Sequence, residues 1–154
     1  MELVAPLLCW DVVAMTWGKY QQQFNDLEKL YKLSEELKWS TNLYSPLCSK
    51  FDALVLTDAK QKIQWVSSGF ESMTAYTPKE VIGKHPSFLQ GAKTDVNATS
   101  KIRQSLQMQQ QASAVLVNYR KTGEEYLCQL TISPLFDSQN QLSHFLAVEK
   151  ELIP

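Results

Sequence analysis

From Phe51 to Leu152 the chain breaks into short apolar runs of strand length closed by turn residues, and this punctuation constrains the fold more than any other feature. FDALVLTD is apolar and β-branched, DAKQ reads as a turn and KIQWVS as the returning half of a hairpin. ASAVLVNYR and EYLCQLTISPL alternate apolar with polar about Lys121-Thr122-Gly123, a tight hairpin, and DSQNQ leads into a last strand, HFLAVEKEL. Helix signals fill the gap after the first hairpin. Ser68-Gly69-Phe70-Glu71 and Thr77-Pro78-Lys79-Glu80 both have capping-box form, the second with Pro at the first helical position. Thr94 is placed to cap a longer helix, DVNATSKIRQSLQMQQQ, with Ile102, Leu106 and Val96 or Thr99 turned inward. This element order predicts an α+β fold, a five-stranded antiparallel sheet with helices on one face.

The 154 residues suffice for one such domain plus an appended helix or two. Over residues 14 to 40, Trp17, Tyr20, Phe24, Leu27, Leu30, Tyr31, Leu33 and Leu37 recur at helical spacing and predict an N-terminal amphipathic helix. Its apolar stripe is expected to pack on the domain's own sheet or on a twin helix in a homodimer. WSTNLYSPLCSK then reads as a linker, so that residues 1–45 form a helical extension and linker and residues 46–154 the domain.

With 15 Lys+Arg against 16 Asp+Glu, the balance does not favour nucleic acid or an anionic membrane as partner. Cys9, Cys48 and Cys128 form no C-x-x-C pair and are read as free thiols in a reducing compartment. The apolar start VAPLLCWDVVAM follows Glu2 and is interrupted by Asp11, and it falls short of the roughly 20 residues of a membrane span. A soluble cytoplasmic protein is expected. His85 and His144 lack partners at metal-ligand spacing, and there is no nucleophile elbow or phosphate-cradling glycine loop, so neither a metal site nor an enzyme is expected.

The segment FDALVLTDAKQKIQWVSSGFESMTAYTPKEVIGKHPSFLQG, then KIRQSL, NYRKTGEEY and FLAVEKEL, resembles the PAS fold, and within it the LOV branch of flavin-binding blue-light sensors. LOV domains carry a G-x-N-C-R-F-L-Q-G segment whose Cys forms a light-driven flavin adduct. The corresponding residues here run from Gly83 to Gly91, with Pro86 at the Cys position, His85 at the Asn and Ser87 at the Arg. The resemblance therefore implies that adduct chemistry is lost, since proline offers no nucleophile. It also implies that Gln90, Asn118 and Arg103 are retained flavin contacts, whereas Cys128 replaces a second Asn and Glu149 the switching Gln of the last strand. An unpaired buried edge costs about 1–3 kcal/mol per group, so these changes work against flavin, and Glu149 suits it only when protonated.

The resulting expectation is a fold kept while its photochemistry and its cofactor are given up, with Gln90 and Asn118 bonded to backbone or to each other. Cys128 is expected to face the central pocket, and His85 its entrance. The function expected first is a regulatory module that dimerises, or binds a signalling protein, through the N-terminal helix and the exposed sheet face. The alternative is a sensor that holds FMN or another planar ligand and reports redox state, or light through photoreduction.

Overall fold

The computed structural model describes residues 10–153, with side chains from Trp17 onward. Cys9 and the apolar start before Trp10 lie outside the described residues. Five strands, β1 (Ala53–Asp58), β2 (Ile63–Val66), β3 (Ala112–Tyr119), β4 (Glu125–Phe136) and β5 (Leu142–Leu152), form one sheet in the order β2-β1-β5-β4-β3. Every neighbouring pair is antiparallel. The α+β architecture read from the sequence is therefore the one the chain adopts.

The inner face of the sheet carries Ala53, Val55, Cys128, Leu130 and Leu116 and is roofed by α3 (Ser68–Thr74), α4 (Pro78–Val81), a 3₁₀ turn (Pro86–Leu89) and α5 (Val96–Gln107). The alternate residues of β1, Leu54 and Leu56, join Leu135, Leu146 and Val148 in a second core on the outer face. Burial on both faces explains why β1 reads as a continuous apolar run rather than an alternating one. Beneath the second core lies α1 (Trp10–Glu36), which contributes Leu27, Leu30 and Leu33. Asp26 of α1 accepts from the Ser68 backbone N–H at 3.1 Å and from the Ser68 hydroxyl at 2.6 Å, joining the extension to α3.

The stripe on α1 resolves into two faces. Leu30 is fully buried, whereas Trp17 and Phe24 are 71% and 64% exposed and Tyr20 and Tyr31 are also exposed. Successive residues turn by about 100°, so Leu30 and Tyr31 cannot share one contact, and the aromatic edge faces away from the sheet. The segment read as a linker is docked rather than free. Ser40 N–H donates to the Phe136 carbonyl at 2.9 Å, Thr41 Oγ1 accepts from Phe136 N–H at 2.8 Å, Leu43 is buried, and Tyr44–Leu47 form a short helix, α2.

Two cap assignments also change. Ser68 does not open a capping box: Ser67 holds the N-cap position of α3, and its hydroxyl accepts from Leu54 N–H at 2.8 Å. Thr94 does not cap α5. Its hydroxyl donates to the Val117 carbonyl at 2.6 Å, while Asp95 accepts from Asn97 N–H at 2.8 Å and becomes the cap. Starting α5 one residue later turns Val96 to solvent, 76% exposed, and leaves Ile102 and Leu106 facing inward. The Thr77–Glu80 capping box forms as read, with Pro78 in the first helical turn.

Candidate functional site

Between the inner sheet face and the layer made by the 3₁₀ turn and α5 lies a cavity. It offers about 100 Å³ to the centres of water-sized molecules, and about 710 Å³ lies between its walls when the open mouth is included. A single buried water needs roughly 10–15 Å³ on the same measure, so the cavity exceeds a water site several-fold. Its apolar walls are Val55, Leu116, Leu130, Ile132, Phe145 and Ala147 of the sheet, Ile102 and Leu106 of α5, and Pro86 and Leu89 of the turn. The more exposed lining residues Gln61, His85, Ser87 and Gln90 mark its mouth.

Strand parity places three polar side chains on these walls, Thr57 on β1, Asn118 on β3 and Glu149 on β5, and all three are buried. Thr57 Oγ1, Asn118 Oδ1 and Glu149 Oε2 each lack a hydrogen-bond partner. Buried polar atoms are nearly always paired in folded proteins, so three orphans on one apolar cavity describe a surface shaped for a ligand with a polar edge. The expectation that Asn118 bonds backbone or Gln90 is thereby corrected for its carbonyl oxygen.

Burial governs the titratable groups here. Glu149 is 6% exposed, and loss of solvation pushes its carboxyl up to about 7. The Tyr126 phenol, opposite Asn118 on the β3–β4 ladder, is pushed up by burial first and then by the Glu149 charge, with the Asn118 amide offsetting part of the rise. Its hydroxyl is the fourth buried polar atom without a partner among the described residues. The Cys128 thiol is pushed up by the same two causes in the same order.

Cys128 lies in the inner core but is not a lining residue of the cavity, because it packs within the apolar cluster beside Leu116 and Leu130. No cysteine is found in the cavity wall among the described residues. Pro86 is in the wall, and Gln90 borders the mouth as expected. Arg103 is exposed on α5 and does not line the cavity. Its charge nevertheless reaches His85, whose imidazole is held below its ordinary range by burial and then by Lys62 and Arg103.

His85 spans the mouth. Its Nδ1 accepts from Ser87 N–H at 3.2 Å, which leaves Nε2–H to donate to Gln61 Oε1 at 3.0 Å. The β1–β2 turn is thereby tied to the 3₁₀ turn. Gln61 and Thr57 were not read as site residues from the sequence. Thr57, a polar residue at an inward position of an apolar strand, carried a legible signal; Gln61 carried none, since 24 positions separate it from His85.

Among the described residues no cluster of three or more His, Cys, Asp or Glu side chains could hold a metal ion, and no helix is long and apolar enough to cross a membrane.

A profile of the PAS domain family matches residues 52–152. A blue-light photoreceptor of Listeria innocua serovar 6a is 38% identical over 102 residues, 64% of this chain and 40% of that protein. Phototropin-1B of Oryza sativa subsp. japonica is 34% identical over 131 residues, 85% of this chain and 14% of that protein. The chain thus spans less than half the length of these relatives. A solved structure described as "Flavin Analogue Sheds Light on Light-Oxygen-Voltage Domain Mechanism" superposes with a TM-score of 0.66 at 32% identity, covering 74% of this chain and 87% of that one.

Proposed function

Because the chain belongs to the PAS domain family and is LOV-like within it, we propose that it is a sensory domain that holds FMN in the inner cavity and signals without a cysteine adduct. The observation that carries this reading is the convergence of three unpartnered polar atoms on one apolar cavity. The first expectation, of a module without a cofactor, finds no support in relatives that are blue-light photoreceptors. The flavin alternative is the better supported reading.

When bound, a flavin supplies absorption of blue light and a site for electron uptake. The protein's part is to hold it. Leu116, Leu130, Ile132 and Leu106 would supply the apolar walls that hold it, and Asn118, Gln90, Thr57 and Glu149 would be the groups available to its polar edge. Arg103 and Lys62, both near His85, supply positive charge on the mouth side for a phosphate. With Pro86 in the wall and Cys128 packed in the core, no thiol among the described residues lines the cavity.

A homodimer through α1 remains part of this proposal, since Trp17, Tyr20, Phe24 and Tyr31 form an exposed aromatic edge. The outer sheet face is partly covered by α1 itself, while Val115 and Leu127 of β3 and β4 stay open.

Titration of FMN fluorescence with the protein tests the ligand reading. Ala147→Phe adds a ring to the cavity wall and is expected to abolish binding while circular dichroism stays unchanged. Equal FMN binding by both proteins would place the ligand elsewhere, and binding by neither would refute the reading.

A further inference from the structure

Of the three orphaned groups on the cavity wall, Glu149 alone can change from donor to acceptor by gaining or losing a proton. Its surroundings decide which state the protein provides. On β1, Ala53 pairs opposite it, and Asp52 donates its backbone N–H to the Glu149 carbonyl at 2.8 Å. The Asp52 carboxylate is turned to Lys19 at 3.2 Å and to Glu151 N–H at 3.0 Å. On β4, Leu130 pairs opposite it, and Tyr126 and Cys128 are kept neutral by burial. Two residues along β5, Glu151 is engaged by Arg120 at 2.5 Å. Asn118 on β3 carries no charge, and His85 at the mouth is disfavoured as a cation by burial and by Lys62 and Arg103. Among the described residues, no lysine or arginine pairs with Glu149.

A buried carboxyl without a cation is held in its neutral form and presents an O–H. Resting on the flavin reading, we propose that Glu149 sets the specificity of the cavity by donating its proton to an acceptor on the ligand's ring edge, so that ligand and proton bind together. A carboxylate at the same place would meet that acceptor lone pair against lone pair. Bound ligand and bound proton therefore reinforce each other, and affinity falls as the ligand-free carboxyl loses its proton.

Riboflavin is the probe of choice, because it lacks the phosphate whose second ionisation near pH 6 would add its own pH dependence. Its affinity for the wild-type protein, followed by flavin fluorescence from about pH 5.5 to about pH 9, is expected to be level in acid. It then falls up to about tenfold per pH unit once the carboxyl titrates. Glu149→Gln keeps an N–H donor that does not titrate and is expected to bind across the whole range with no such slope. Glu149→Leu is expected to bind at least about tenfold more weakly than Glu149→Gln at every pH. Calorimetry of the wild-type protein in buffers of different ionisation enthalpy reads the same linkage without a variant, as proton uptake on binding at the alkaline end. A pH-independent wild-type affinity with no proton uptake, or a slope that survives in Glu149→Gln, would overturn the proposal and leave the flavin reading standing. Absence of binding at every pH in both proteins would overturn the flavin reading, and this inference with it.

Discussion

At the scale of single residues, the cavity is defined by polar atoms where an apolar core would ordinarily have none. Glu149 makes the consequence measurable without any ligand. Its folded-state carboxyl titrates near 7 against an ordinary value of 4.5, so between those values the folded chain keeps a proton that the unfolded chain has released. The contribution of Glu149 to stability is therefore full below about pH 4.5, falls by about 1.4 kcal/mol per pH unit as pH rises, and levels off above about pH 7 about 3 kcal/mol lower. Urea unfolding of Glu149→Gln is expected to lack this decline; a decline of the same size in the variant would assign it to another group. Asn118, Gln90 and Glu149 were legible as cavity residues through the LOV resemblance of the segments that carry them, the G-x-x-x-x-F-L-Q-G segment for Gln90 and the strand segments NYRKTGEEY and FLAVEKEL for the other two. Cys128 shared the inward parity yet is packed away from the cavity. Parity gives the face on which a residue lies, not its depth along the strand.

At the scale of elements, strands were legible throughout and helix contacts only in part: Ile102 and Leu106 of α5 face inward as read, whereas the contact made by α1 was left between two alternatives. Alternation survives in β3 and β4 because each residue has only two faces to choose between. The stripe on α1 contained eight apolar residues, of which Leu27, Leu30 and Leu33 reach the outer core, and sequence spacing could not say where along the stripe the sheet would meet it. Leu30 anchors this contact, and Leu30→Ala is expected to cost about 2–5 kcal/mol by denaturant unfolding. A loss below about 1 kcal/mol would mean that α1 is not held on the sheet. The junction of β1 and α3 is equally confined. A Cβ on Gly69 would lie 1.9 Å from the backbone carbonyl oxygen of Asp52. Gly69→Ala must therefore move one of the two backbones and is expected to destabilise by about 1–3 kcal/mol in the same assay, and a neutral result would contradict this packing. Gly91 is limited in another way, since a Cβ there would lie 2.4 Å from the Tyr119 ring, which accounts for a glycine and an aromatic residue occurring together in the two motifs.

At the scale of the molecule, one sheet has a cavity on its inner face and α1 on its outer face. Ala147 and Glu149 of β5 face the cavity, and Leu146 and Val148, which alternate with them, pack in the core shared with α1. A change in what the cavity holds thus needs to move only one strand to be felt at the helix. In the proposed homodimer the exposed aromatic edge of α1 would give that movement an outlet in self-association, and sedimentation is expected to show a dimer that Trp17→Ala with Phe24→Ala weakens by at least about tenfold. A wild-type monomer at all concentrations would remove dimerisation from the account. The overall architecture was legible because each strand and turn signal agreed with its neighbours; the layer formed by α1 was legible only as one of two alternatives, sheet or twin helix, because helix and domain meet only in three dimensions.

The central claim is that the cavity holds a flavin. It is tested most directly by incubating the protein with FMN, separating it from free ligand by gel filtration and recording its visible spectrum. The account predicts flavin absorption eluting with the protein in about equimolar amount. A colourless protein peak, with all FMN eluting free, would contradict it.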